Sequence, residues 1–223
     1  MISWFSNNKY PDCWISYKGQ FKNQKKKDLN QIRFVVFDTE TTGLDVRNDR
    51  ILSIGAIALT GNTMDVADSL DLYVKQDKFN SETVEIHGLL KKGNILKIDE
   101  EEAVIRFLEY IKNAVLIAHH ASFDISMINY ALKRLHLPKL KNKFLDTGIL
   151  LKKTKFHHPQ KEHYSLDSIC NILNINMHDR HTAAGDAYIT GIIFLKIISA
   201  LKKDNPNLKL DQLNFNSNRR GLL

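Results

Sequence analysis

Apolar and polar positions fall into two regimes along this chain. Between Phe34 and Val74 the apolar residues come in strand-like runs, and from Asp99 onward helical stripes alternate with short apolar runs. Phe34 to Phe37 predicts a first strand. "ILSIGAIALT", residues 51–60, is apolar on both faces, as a strand in the middle of a sheet would be. Gly61-Asn62 is a hairpin turn signal, and "DSLDLYV" ends the returning strand. Beyond this antiparallel unit, Ser81 to His87 has the makings of a short helix. Asp99 to Lys112 carries acids in its first turn and apolar positions 104, 107, 108 and 111 at helical spacing. "AVLIA", residues 114–118, is a short buried strand. Ser122 to Leu135 reads as a helix with Ser122 as its N-cap, stopped before Pro138. Phe144 to Asp146 is the last strand, leading into "TGILLKK". Helices over Ser165–Asn174 and from Thr182 to about Lys202 close the pattern. The expected fold class is α/β: a mixed five-stranded sheet, three antiparallel strands then two parallel, flanked by helices.

The expected organisation is an N-terminal arm over residues 1–31, a domain over 32–203 and a tail over 204–223. The arm holds aromatics (Trp14, Tyr17, Phe21) without a sustained period and is expected to pack them on the domain. At 223 residues and 43% apolar content, one domain can build a full core. No apolar run of spanning length is visible; "GIIFLKIISAL" is broken by Lys196, so no membrane is expected. The first ten residues lack a basic start, an apolar stretch and a cleavage site, which argues against a signal peptide. Cys13 and Cys170 alone make no disulfide framework and fit a cytoplasmic location. A net charge of +7 and pI near 9.3 suit a phosphate-bearing partner, nucleic acid first. The charge is clustered at Lys22–Lys27, Lys139–Lys143 and up to Lys155.

The chemistry starts at "RFVVFDTETTGLD", residues 33–45. Residues i and i+2 share a strand face, so Asp38 and Glu40 point to one side. Spacing alone carries no weight: three acid-x-acid pairs occur (38/40, 99/101 and 100/102), and about three are expected by chance. Only 38/40 closes a buried strand, where two like charges cost free energy unless a cation neutralises them. Asp124 follows a second buried strand, in "HHASFD". Asp186 stands near the start of the long helix, in "HTAAGDA", five residues after His181. Each singly suits an ordinary first helical turn. Together, three exits from buried segments each carry an acid.

"FDTETTGLD", "HHASFD" and "HTAAGDA" resemble the three exonuclease motifs of the DEDD superfamily in its histidine-containing branch. "IHGL" at Ile86–Leu89, "LDT" at Leu145–Thr147 and "YSLDSIC" at Tyr164–Cys170 resemble further landmarks, so the likeness covers about residues 33–202. It implies a ribonuclease H-like fold and removal of nucleoside 5′-monophosphates from the 3′ end of single-stranded or frayed DNA. Two divalent cations, Mg²⁺ or Mn²⁺, would be held by Asp38, Glu40, Asp124 and Asp186, with His181 as general base. Thr41, Gly43 and Leu44 would lie against the terminal nucleotide, Phe123 under it and His87 near its sugar. His120 stands where the family usually carries Asn, which bears on nucleotide preference.

Other readings stay open. The same fold trims RNA or scavenges oligoribonucleotides, with DNA favoured here, and a non-catalytic nucleic-acid-binding module is the reading from another class. "HHPQKEH" invites zinc but lacks a matching cysteine or spacing. Gln212, Leu213 and Phe215 faintly resemble a sliding-clamp peptide, and a polymerase is the other protein partner of this kind. The chain lacks the long polymerase-binding segment of the replicative subunit, so a stand-alone enzyme is expected.

Overall fold

The computed structural model describes residues 10–22, 27–77 and 95–213. The expected helix at Ser81–His87, and His87 with it, lies outside these residues. β1 (Arg33–Thr41), β2 (Ile51–Thr60) and β3 (Thr63–Tyr73) form an antiparallel meander. β4 (Val115–Ala118) lies parallel to β1, and β5 (Phe144–Asp146) lies parallel to β4. The sheet order is β3-β2-β1-β4-β5, with β1 at the centre. This is the ribonuclease H-like arrangement expected, three antiparallel strands then two parallel.

Strand pleating sends alternate β1 side chains into two cores. Val35 and Phe37 pack under α1 (Asp12–Gly19), α2 (Glu100–Ile111) and α3 (Ala121–Arg134). Phe34 and Val36 pack on the other face, under α5 (Leu166–Leu173) and α6 (Ala183–Asp204). The short α4 (Thr147–Leu151) follows β5, and α7 (Leu210–Leu213) ends the described chain. By length and composition α6 could cross a membrane, with mean hydropathy 1.5. Here it is a core helix: 11 of its 22 residues are buried, Ile193, Phe194 and Ile197 among them. Each such side chain stabilises the fold by about 1.5–3 kcal/mol as an upper bound.

Three local expectations change. The first 31 residues contain a helix, α1, whose Trp14 and Tyr17 are buried in the core. The Tyr17 hydroxyl donates to Asn142 Oδ1 at 2.5 Å, tying α1 to the approach to β5. Ser122 is not the N-cap of α3. The helix begins one residue earlier, after His120, whose backbone is left-handed (φ 57°, ψ 43°) and whose side chain makes no cap bond. The cap comes from a distance, because Asp146 Oδ2 accepts from Ala121 N–H at 2.8 Å. Leu213 is 1% exposed and belongs to the second core cluster. A residue so used is not an anchor free for a sliding clamp; Phe215 lies outside the described residues.

Candidate active site

The candidate site sits at the carboxyl end of β1, where helices from both faces meet. Asp38 and Glu40 continue the Phe34–Val36 row, so their carboxylates emerge on the α6 side. Register shifts between Glu40 and Thr41, a β-bulge that bends the strand end away from β2. Asp38 pairs with Gly55 of β2. A Cβ on Gly55 would stand 2.2 Å from the Ala183 carbonyl carbon, so only glycine lets the start of α6 lie this close. Thr182 caps α6, its hydroxyl accepting from Gly185 N–H at 3.1 Å. One turn in, Asp186 is buried beside the β1 acids.

Asp38, Glu40 and Asp186 each offer a carboxylate oxygen within 4.8 Å of the others. Asp186 Oδ1 is buried and has no hydrogen-bond partner. A buried anion with an unfilled acceptor, beside two more carboxylates, is the donor set a hard divalent cation takes. The His157–His163 segment contributes to no such group among the described residues.

Asp124 reaches the site from the opposite face. Its Oδ1 accepts from Thr39 N–H at 3.0 Å and Thr39 Oγ1 at 2.7 Å, so that oxygen is engaged. Its charge still acts on Asp38. Burial, then repulsion from Asp124, Asp186 and Glu40, raises the Asp38 carboxyl well above its ordinary range. Burial with repulsion from Asp186 pushes Glu40 up to about 7. Burial pushes Asp124 up to about 7 against the hydrogen bonds from Thr39. The four acids thus share one electrostatic field, while three of them bring donor atoms together.

Arg180 is the residue that sequence reasoning missed. Its guanidinium donates from one Nη to Asp186 Oδ2 and from Nε to Asp167 Oδ1, the latter at 2.7 Å. Its charge lowers the pKa of both Asp38 and Glu40. His181, the next residue, is exposed and left-handed (φ 63°), as is Asp179 (φ 54°). This pair of left-handed residues turns the Arg180 side chain into the cluster. His181 stands at its rim.

The turn after β1 is firmly built. Asp49 is buried; its carboxylate accepts from Thr42 Oγ1 at 2.8 Å and Asp45 N–H at 2.9 Å. Thr41 Oγ1 donates to the Gly43 carbonyl at 2.8 Å. Leu44 at the tip is 86% exposed. Phe123 is half-buried against the first core and His120 is exposed. The αL backbone at His120 supplies a conformational reason for the family's usual Asn, the non-glycine residue that enters αL most readily. His119 is buried: Nδ1 lies 3.0 Å from Thr147 Oγ1, Nε2 has no partner, and desolvation pulls its pKa down to about 4.

A mixed sheet of this order with carboxylates at the end of its central strand defines a nuclease-type phosphodiester site, and the comparisons agree. The chain belongs to the exonuclease family (RNase_T), whose model matches residues 35–194. Within it, the chain resembles the epsilon subunit of DNA polymerase III. It is 32% identical over 175 residues to the DNA polymerase III subunit epsilon of Buchnera aphidicola, covering 75% of this chain and 73% of that one. It is 33% identical over 175 residues to the PolC-type DNA polymerase III of Caldanaerobacter subterraneus subsp. tengcongensis. That match covers 76% of this chain but only 12% of that polymerase. Among solved structures, E. coli exonuclease I in complex with a dT13 oligonucleotide superposes with TM-score 0.65 at 16% identity, over 78% of this chain and 42% of that one. Exonuclease X in complex with 5′ overhanging duplex DNA gives TM-score 0.60 at 20% identity, over 82% and 97%. These two likenesses show the fold.

Proposed function

We propose that this chain is a metal-dependent exonuclease acting on the 3′ end of single-stranded or frayed DNA and releasing nucleoside 5′-monophosphates. The observation that carries it is the triad of carboxylate oxygens within 4.8 Å, with Asp186 Oδ1 buried and unpaired. Asp38, Glu40, Asp186 and, from the other face, Asp124 would hold two Mg²⁺ or Mn²⁺ ions. When bound, such ions supply charge for the attacking and leaving oxygens of an in-line displacement.

The chain's own groups do the rest. Arg180 holds Asp186 through Oδ2, which leaves the buried, unpaired Oδ1 as the atom that would meet an ion. His181, on the adjoining residue, takes the proton from the attacking water; its exposed, left-handed position keeps it at the rim where water enters. The rigid Thr41–Asp49 turn holds Thr41, Gly43 and Leu44 against the terminal nucleotide, with the exposed Leu44 as a wedge at its base. Phe123 lines the floor. His120 would stand nearer the substrate's backbone; His87, expected beside the terminal sugar, lies outside the described residues.

The test is a 5′-labelled single-stranded DNA in Mg²⁺ or Mn²⁺, run beside an RNA of matched sequence. Stepwise shortening from the 3′ end, faster on DNA, is expected. Asp38→Ala or His181→Ala should cut the rate by about 10²–10⁴-fold with the fold intact. Full activity in both variants would sink this assignment, and faster RNA cleavage would move the substrate to RNA.

A further inference from the structure

A large open groove runs along the molecule at the opposite end of the sheet from the acids. It is walled by the first residues of β1 and β4 (Arg33, Val115), the segment after α1, the approach to β5 and the segment before α7. Its volume is about 1360 Å³. Among the described residues five lysines line it, Lys22, Lys27, Lys141, Lys143 and Lys209, against two aspartates, Asp28 and Asp211. All five are exposed. Arg33 also faces it but is paired with Asp68 at 2.9 Å. Lys22 and Lys27 thus meet Lys141 and Lys143, more than a hundred residues away, in one place that belongs to no active-site element. The half-buried ring of Phe21 lies in the same wall, with the Lys141 ammonium 5.7 Å from its centre.

We infer that this groove is a second nucleic-acid contact, an electrostatic track for the phosphodiester backbone of a single strand whose 3′ end occupies the acid site. A row of cations with an aromatic face is the combination that holds single strands without reading sequence. The polarity of the molecule favours this occupant. The acid site repels a polyanion until its charge is neutralised, so the binding free energy of a long strand has to come from elsewhere on the surface. Arg33 and Asp38 are five strand steps apart, about 17 Å. A trinucleotide, at about 3.4 Å per stacked nucleotide, spans roughly 10 Å and cannot occupy both places. The inference rests on the exonuclease reading only for the direction of the strand; the groove's affinity for it does not.

The experiment therefore separates the two. In EDTA, where nothing is cleaved, anisotropy of a labelled 30-nucleotide single-stranded DNA is followed from 50 to 200 mM salt for the full chain and for K22A/K141A/K143A. Three lost phosphate contacts lower the slope of log affinity against log salt by about 2, so wild-type loses about 20-fold more affinity than the variant over that range. Affinity at 50 mM should drop at least tenfold in the variant, with its melting temperature unchanged. With Mg²⁺, KM for the 30-mer should rise while cleavage of a trinucleotide stays at the wild-type rate. Equal 30-mer affinity and equal salt slope in the two proteins would overturn the groove assignment. So would tight binding of a polyglutamate peptide, lost in the variant, with no change for DNA; that outcome points to an acidic protein partner. Failure of wild-type to cleave anything, with the groove effect intact, would instead refute the exonuclease reading alone.

Discussion

Arg180 carries the metal-free site. Three carboxylate oxygens gathered at the end of a buried strand repel one another, and the guanidinium is the nearest compensating charge, forked between Asp186 and Asp167. Both ends of that fork are charged, and such hydrogen bonds contribute about 1.5–3 kcal/mol when little exposed to solvent. The same cation competes with any ion that needs Asp186. Arg180→Met is therefore expected to act in opposite directions on two measurements. Melting in EDTA should show a loss of about 2 kcal/mol. Calorimetric titration with Mn²⁺ should show tighter binding, by about tenfold, equivalent to about 1.4 kcal/mol. Weaker Mn²⁺ binding in the variant would mean that Arg180 orders the ligands and does not stand in for the ion. The residue escaped notice in the sequence because its pairing depends on left-handed backbone at Asp179 and His181, and neither residue type announces that conformation as glycine does.

Between elements, the site depends on how closely α6 can approach β2. Asp38 and Gly55 are register partners, and the Gly55 position is filled by the backbone of Ala183 and Ala184. Gly55→Ala would push backbone against a methyl group and lift the helix start that carries Asp186. Overpacking of this kind costs about 1–3 kcal/mol. Urea unfolding should show that loss, and Mn²⁺ affinity should fall with it; a stability loss with unchanged affinity would show that the helix start does not set the ligand geometry. Much at this scale was legible: strand alternation, the Gly61-Asn62 turn and the acidic first turn of α2 all follow from local pattern. What was not legible depended on distance. α1 carries aromatics at 14 and 17, with Tyr10 and Phe21 flanking it, a helical stripe hidden because the intervening residues are mixed rather than polar. Ser122 looked like a cap because it precedes the apolar stripe. The orphan Ala121 N–H instead finds Asp146, 25 residues away, whose other oxygen accepts from Ile149 N–H at 2.9 Å. One carboxylate at the end of β5 thus fixes the starts of α3 and α4, a pairing set by the parallel sheet and invisible to local pattern.

Over the whole molecule, charge is separated into a basic groove at one end of the sheet and an acid cluster at the other, and pH should act on the two ends differently. Glu40 and Asp124 lie near 7 in the folded, metal-free protein, and burial and its acidic neighbours hold Asp38 well above its ordinary range. Acids with raised folded pKa values bind more protons folded than unfolded. Between about pH 4.5 and 7.5 they therefore make stability fall as pH rises. His119 works the other way. Its folded pKa, about 4, lies below the ordinary 6.5, so the unfolded state binds the extra proton and stability rises with pH through that window. Without metal the three acids outweigh the one histidine, so stability falls as pH rises across the window they share. Divalent cations require the carboxylates ionised, so they remove only the acid contribution. With ion at about 100 times its dissociation constant at pH 7.5, the added stability is about 2.7 kcal/mol. For a chain of this size that corresponds to roughly 5–10 °C of melting temperature. At pH 5 two groups near 7 must each give up a proton two units below their pKa, a penalty of about 10⁴ in affinity, which cancels the gain. The gap between Mg²⁺ and EDTA melting curves should thus open from near zero at pH 5 to its full width at pH 7.5. A gap of equal width at both would show that the acids ionise independently, and that Asp38, Glu40 and Asp124 do not form a coupled ion site.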